Sequence, residues 1–231
     1  MTARPDARHS YFVTGTDTGV GKTLVACALL HAFASTGLRV VGMKPVAAGA
    51  VPSAEGLLND DVSALRAAST IEVPLPLANP YCFEAPVAPH IAASLAGVEI
   101  DLARLESCFD ALAVRADCVI VEGVGGFRVP LGRDVDTAQL ARKLSLPVIL
   151  VVGMRLGCLN HALLTAGAIT DSGLRLAGWV ANHIDPQMAC PDENVAALCE
   201  RLEAPMLARI PYHSRHDAAR LAPLITLDAL R

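Results

Sequence analysis

The chain has 231 residues, 53% of them hydrophobic, with 19 Lys plus Arg against 23 Asp plus Glu and a formal net charge of -4. That length suits one α/β domain with a sizeable core, and a mildly acidic chain whose arginines are scattered singly has no basic stripe to neutralise a nucleic-acid backbone. Three of the 19 cationic residues are lysines, Lys22, Lys44 and Lys143, beside 16 arginines, so lysine is not this chain's ordinary surface cation.

The seven cysteines are too widely spaced for a C-x-x-C zinc or redox pair: the nearest neighbours are Cys190 with Cys199 and Cys108 with Cys118. They read as buried thiols of a cytoplasmic protein. The start of the chain carries Arg4, Asp6, Arg8 and His9 with no apolar signal core, and residues 1–9 are expected to be disordered. Apolar runs fall short of the ~20 residues that span a bilayer. The expectation is one domain over residues 1–231, soluble, with neither nucleic acid nor membrane as partner.

Continuous β-branched and apolar runs predict strands over 11–14, 38–43, 118–121, 147–152, 176–181 and 206–210, each covered on both faces. Helical stretches alternate with them over 22–35, 61–68, 101–115, 137–144, 160–171 and 191–202. That alternation predicts an α/β fold: a doubly wound, mostly parallel sheet with helices on both faces. Residues 74–89 hold five prolines in sixteen positions, which excludes regular helix and central strand there. With Asn79, Tyr81, Glu84 and His90 interleaved or adjacent, the segment is either a surface excursion or a wall of a substrate site.

The first strand runs into Gly15-Thr16-Asp17-Thr18-Gly19-Val20-Gly21-Lys22-Thr23, and an apolar helix follows. A glycine loop between strand and helix aims backbone N–H groups and the helix N-terminus at phosphate oxygens. Lys22 then neutralises the terminal phosphates, and the Thr23 hydroxyl reaches Mg²⁺. The usual spacing G-x-x-x-x-G-K-[ST] would put its first glycine at position 16, which is threonine here; Gly15 comes one residue early.

Glu122 ends the third strand and leads into Gly123-Val124-Gly125-Gly126, at the strand edge where open α/β sheets bind ligands. A buried carboxylate needs a partner, and Mg²⁺ supplies one; capping a neighbouring helix is the alternative. Asn59-Asp60-Asp61 precedes a helix, so one aspartate could be an N-cap and the other a metal ligand, and pattern alone does not choose. Lys44 closes the second strand before Pro45. In a chain that otherwise uses arginine, a lysine there suits a site that needs a compact charge with three donors. Asn182 follows the fifth strand and can pair with adenine N6 and N7, or simply form a turn.

Together these segments resemble the dethiobiotin synthetase family, with further likeness in Gly-Met-Lys-Pro-Val from Gly42, Asn-Pro-Tyr-Cys-Phe from Asn79, Leu-Gly-Cys-Leu-Asn-His from Leu156 and Gly-Trp-Val-Ala-Asn from Gly178. The likeness runs from about Tyr11 to Tyr212. It implies an ATP- and Mg²⁺-dependent ligase that joins CO₂ to 7,8-diaminononanoate and closes a ureido ring, through a carbamate and a carbamic-phosphoric anhydride.

Carried onto this chain, the resemblance gives Gly19, Val20, Gly21, Lys22, Thr23 and Leu24 to the triphosphate, and Thr23, Asp61 and Glu122 to the metal. Gly123, Val124 and Gly125 join the nucleotide site. Asn182, His183, Pro211 and Tyr212 flank adenine, and Lys44 is the catalytic lysine. Lys44 and Ala48 face the substrate. Gly157, Cys158, Leu159 and Asn160 offer N–H groups to its carboxylate from the partner subunit of a homodimer. Two positions depart from the family: Ala48 stands where a Ser or Thr hydroxyl is common, and Gly19 where some members have Glu.

Two other P-loop readings compete. A partitioning or targeting ATPase uses hydrolysis as a switch but carries a signature lysine where this chain has Asp17, and no lysine lies between Thr14 and Lys22. A cobyrinate-type amide synthetase needs a glutaminase domain for which 231 residues leave no room.

Overall fold

The computed structural model describes residues 9–54, 56–212 and 217–230. Its strands are β1 (Tyr11–Gly15), β2 (Val40–Met43), β3 (Val46–Ala48), β4 (Val51–Ser53), β5 (Gly56–Leu58), β6 (Tyr81–Phe83), β7 (Cys118–Glu122), β8 (Val148–Met154), β9 (Leu176–His183) and β10 (Met206–Ile210). The helices are α1 (Lys22–Ser35), α2 (Asp60–Ala68), α3 (Leu75–Ala78), α4 (Pro89–Leu95), α5 (Leu102–Ala113), α6 (Thr137–Leu144), α7 (Cys158–Asp171), α8 (Pro191–Arg201) and α9 (Ala218–Leu221).

The six strands expected from apolar runs form one sheet in the order β10-β9-β8-β1-β7-β2, with every pairing parallel. The runs lack polar alternation because successive residues point to two covered faces. In β1, Tyr11 and Val13 pack with α1 and the C-terminal segment around Leu221 and Ile225; Phe12 points the other way, toward α5 and α6. Farther along that second face, Leu150, Val152 and Trp179 pack with residues of α7 and α8. The chain passes from β1 out to β2, returns to β7 and then crosses to β8, which opens a switch point beside the C-terminal end of β1, where such sheets bind ligands.

The helices over 22–35 and 137–144 have the expected bounds, while α7 begins two residues early, at Cys158. The proline-rich segment is more regular than its composition implies. Pro76 lies in the first turn of the one-turn helix α3, and Pro89 opens α4, positions where a missing N–H costs nothing. Between them β6 pairs with β3 outside the main sheet, so the exclusion of central strand holds and that of helix does not. Lys143 of α6 reaches Glu106 of α5 at 2.8 Å. Of the residues expected to be disordered, 1–8 lie outside the described residues, whereas the His9 ring lies 6.0 Å from that of Phe33.

Candidate active site

The loop between β1 and α1 is shaped by space as much as by charge. A Cβ on Gly15 would meet Val20 Cγ2 at 2.6 Å, so the early glycine makes room for the buried Val20. Thr16, in the position of the usual first glycine, is tied to β8: its N–H donates to Val151 O at 3.0 Å and its hydroxyl accepts from Gly153 N at 3.3 Å. Gly19 and Gly21 have φ of 74° and 88°, a left-handed region that glycine enters freely. At Gly21 a Cβ would also lie 2.2 Å from Asn182 Nδ2. Leu24 is half-buried and packs with the α1 core.

At the foot of α1 four side chains converge. The Thr23 hydroxyl lies 2.7 Å from Asp61 Oδ1 and 2.9 Å from Glu122 Oε1. Lys44 Nζ donates to Asp61 Oδ2 at 2.7 Å, to Glu122 Oε1 at 2.6 Å and to Gly123 O at 3.2 Å. Glu122 is 1% exposed and Lys44 3%. Lys44 leaves β2 at this angle because its N–H bonds Ala78 O and its carbonyl accepts from Asn79 Nδ2 at 2.6 Å. The α2 N-terminus aims Asp61: Asn59 is the N-cap, its side chain accepting from Asp61 N, which settles that neither aspartate caps the helix. Asp60 is exposed on the first turn.

Burial would lower the Lys44 pKa, but Glu122 and Asp61 outweigh it and hold the ammonium above its ordinary value. Burial would likewise raise Asp61, yet the charge and hydrogen bonds of Lys44 bring it below the usual range. Glu122 is raised, first by burial and then by Asp61, with Lys44 opposing. Lys22, whose Nζ donates to Asp17 O at 2.9 Å, is pushed down to about 8, mainly by burial and next by Lys44.

A hydroxyl has one proton to donate, so Thr23 satisfies one carboxylate oxygen and faces the other with lone pairs. Glu122 Oε2 is buried without a hydrogen-bond partner. One hydroxyl and two carboxylates fit the oxygen preference of Mg²⁺, which commonly takes one or two carboxylates and completes its octahedron with phosphates and water. Among the described residues, no group of three His, Cys, Asp or Glu converges as a cage by itself, so phosphate oxygens would have to share such a cation.

These residues line a cleft of ≈ 820 Å³, together with Gly19, Gly21, Ala48, Val124, Gly125 and residues 86–89. The end of the proline-rich segment thus forms part of the cleft wall, whereas Asn79, Tyr81, Glu84 and His90, the residues that suggested a substrate-site wall, do not line it. A second cavity, of ≈ 400 Å³, lies at the ends of β9 and β10 and is lined by His183, Pro211 and Tyr212. Asn182 stands behind the phosphate loop, Nδ2 donating to Val20 O at 2.8 Å while the buried Oδ1 has no partner. Gly157, Cys158, Leu159 and Asn160 line neither cavity: they begin α7, where Gly157 and Asn160 are exposed and Cys158 is buried.

Asn59, Asp17 and Arg155 have no site role in the sequence reading, and Asn79 has one only as a candidate substrate-site wall. Arg155 pairs with Asp17 Oδ2 at 2.5 Å, and Asn59 also donates to Ala48 O at 3.1 Å. An Asn directly before two aspartates and a helix is an N-cap signal; nothing in the sequence links Arg155 to Asp17 across 138 residues.

A family model described as "AAA domain" matches residues 9–220. The chain is 58% identical over 219 residues to the ATP-dependent dethiobiotin synthetase BioD of Aromatoleum aromaticum, covering 95% of this chain and 97% of the relative. It is 57% identical to the protein of the same description from Nitrosospira multiformis, covering 94% of each. Among solved structures, the MinD cell division protein of Aquifex aeolicus is similar at TM-score 0.56 and 15% identity, covering 94% of this chain and 85% of that one. A ParA family ATPase of Chlorobium tepidum is similar at TM-score 0.52 and 14% identity, covering 94% and 89%. The latter two likenesses establish the P-loop fold alone; the full-length relatives are enzymes, and the chain belongs to the ATP-dependent dethiobiotin synthetase family.

Proposed function

We propose that this chain closes the ureido ring of dethiobiotin, consuming ATP, CO₂ and 7,8-diaminononanoate and releasing ADP and phosphate. One observation carries the site assignment: a buried lysine, two carboxylates and the phosphate-loop threonine meet within hydrogen-bond distance in one cleft. In the proposed sequence one substrate amine adds to CO₂ and loses a proton to give a carbamate, whose oxygen attacks the γ-phosphorus and displaces ADP. The second amine then attacks the carbamoyl carbon and expels phosphate, closing the ring.

Such a reaction asks the protein for position and charge rather than for a nucleophile. Lys22 and the N–H groups at the start of α1 hold the β- and γ-phosphates. Lys44 turns its ammonium to the carbamate and the transferring phosphoryl group, stabilising the charge that grows there. Thr23, Asp61 and Glu122 would hold Mg²⁺, which when bound neutralises phosphate charge. Asn182 Oδ1, a buried acceptor without a partner, suits the N6 amino group of adenine. Ala48 lines the cleft but offers no hydroxyl to the diamine.

The substrate carboxylate is assigned to the N-terminus of α7 in the partner of a homodimer. Leu163 and Leu164 of α7, at 38% and 65% exposure, and Leu156 just before the helix, at 95%, support burial of this region against a second copy. Among the described residues no helix is long and apolar enough to cross a membrane; the cysteines are free thiols, which supports a cytoplasmic setting, although Cys199 on α8 and Cys190 at its start are exposed rather than buried as expected. The test is incubation with ATP, Mg²⁺, bicarbonate and the diamine, followed by mass detection of the ureido product. ATP hydrolysis without that product would favour a nucleotide switch.

A further inference from the structure

The cavity at the ends of β9 and β10 contains a relay that phosphate and metal do not use. Arg209 of β10 donates from Nε to His183 Nε2 at 3.0 Å, and its Nη2 pairs with Asp192 in the first turn of α8. A guanidinium stays charged and has no lone pair to offer, so His183 Nε2 is the acceptor and the neutral ring carries its proton on Nδ1. His183 is 8% exposed. Its pKa is lowered, first by burial and then by Arg209, with Asp192 opposing. Protonation would set an Nε2–H against the Arg209 Nε–H.

The other charged and titratable groups here do not replace Arg209. Asp185 Oδ1 accepts from Gln187 N at 2.9 Å, Asp192 is occupied by Arg209, and Tyr212 is half exposed at the rim. The remaining walls, Pro186, Met188, Pro191 and Pro211, are apolar and suit the faces of a flat heterocycle better than a sugar or phosphate.

We propose that Arg209, anchored by Asp192, is a positioning residue for nucleotide recognition: it fixes His183 as the Nδ1–H tautomer, which donates a hydrogen bond to a ring-nitrogen acceptor of the purine. This rests on the reading that the base occupies this cavity. The full chain with ¹⁵N-labelled histidine tests both. Without nucleotide, His183 should show a protonated Nδ1 and an unprotonated Nε2, and should titrate below an exposed histidine. In Arg209→Gln the Nε2–H form becomes populated and the titration midpoint rises. The KM for ATP then rises by about tenfold, the scale of one hydrogen bond, while kcat at saturating ATP is little changed. Arg209→Lys, which keeps a donor, recovers part of the affinity. A protonated Nε2 in the unmodified protein, or an unchanged KM in Arg209→Gln, overturns the relay. His183 signals unmoved by saturating ATP during turnover would instead overturn the base assignment on which it rests.

Discussion

The Lys44 ammonium stands 2.6 Å from Glu122 Oε1 and 2.7 Å from Asp61 Oδ2, a single buried cation holding together two carboxylates from different elements. Lys44→Gln removes the charge and leaves a neutral amide on a side chain one bond shorter. The expected outcome is ATP binding close to normal with ring closure reduced by about 10²-fold or more, as when a transition-state donor is removed. Steady-state rates alongside calorimetric ATP binding check it; near-normal turnover would remove Lys44 from the chemistry.

Glu122→Gln retains shape and takes away one negative charge from the candidate cation site. Nucleotide affinity in Mg²⁺ should drop toward the value without Mg²⁺. A titration of Mg²⁺ at fixed ATP analogue reads this, and an unchanged requirement would make Glu122 merely the counter-ion of Lys44.

Lys22 supplies a pH dependence with a definite sign. With its free-state value lowered to about 8, the ammonium is charged below that pH and progressively lost above it. Triphosphate favours the charged form, so ATP affinity should be greatest below about pH 8 and fall above it, with proton uptake on binding between about 8 and the ordinary lysine value of 10.5. Calorimetry in buffers of different ionisation enthalpy measures that uptake; its absence in this window would contradict the lowered value.

Gly19 and Gly21 share a left-handed backbone but differ in what surrounds them. Beyond its chain neighbours nothing lies within 4 Å of a Cβ built on Gly19, so Gly19→Ala should cost about 1–2 kcal/mol of backbone strain and little ATP affinity. Gly21→Ala drives a methyl into Asn182 Nδ2, breaks its bond to Val20 O, and should weaken ATP binding about ten- to a hundredfold. Equal effects at the two positions would show that strain alone governs the loop.

Leu164→Glu places a charge on the exposed apolar face of α7. The variant should run as a monomer in light scattering, retain ATP binding and lose ring closure, because the carboxylate site would come from the partner. A monomeric variant with full activity would refute the shared site.

Much of the site could be read in advance because its parts are local. A glycine loop between a strand and a helix, a carboxylate ending a buried run, and a lysine ending another are each contiguous in sequence, and parallel strands collect such C-terminal ends along one edge. The scarcity of lysine also pointed to Lys22 and Lys44, though Lys143 proved to be a helix-to-helix ion pair.

Tertiary structure decided what depends on packing between distant segments. Asp60 and Asp61 are equivalent in pattern; the Asn59 cap and the approach of α2 to Thr23 and Lys44 turn Asp61 inward. The early Gly15 became intelligible through its contact distance to Val20, and Asn79 through its grip on the Lys44 carbonyl. Arg155 with Asp17 and Arg209 with His183 join residues 138 and 26 positions apart, each pair across strand ends that only the sheet order brings together. Local sequence fixes backbone conformation and hydrophobic periodicity, whereas side-chain pairing over such separations follows from which strands become neighbours.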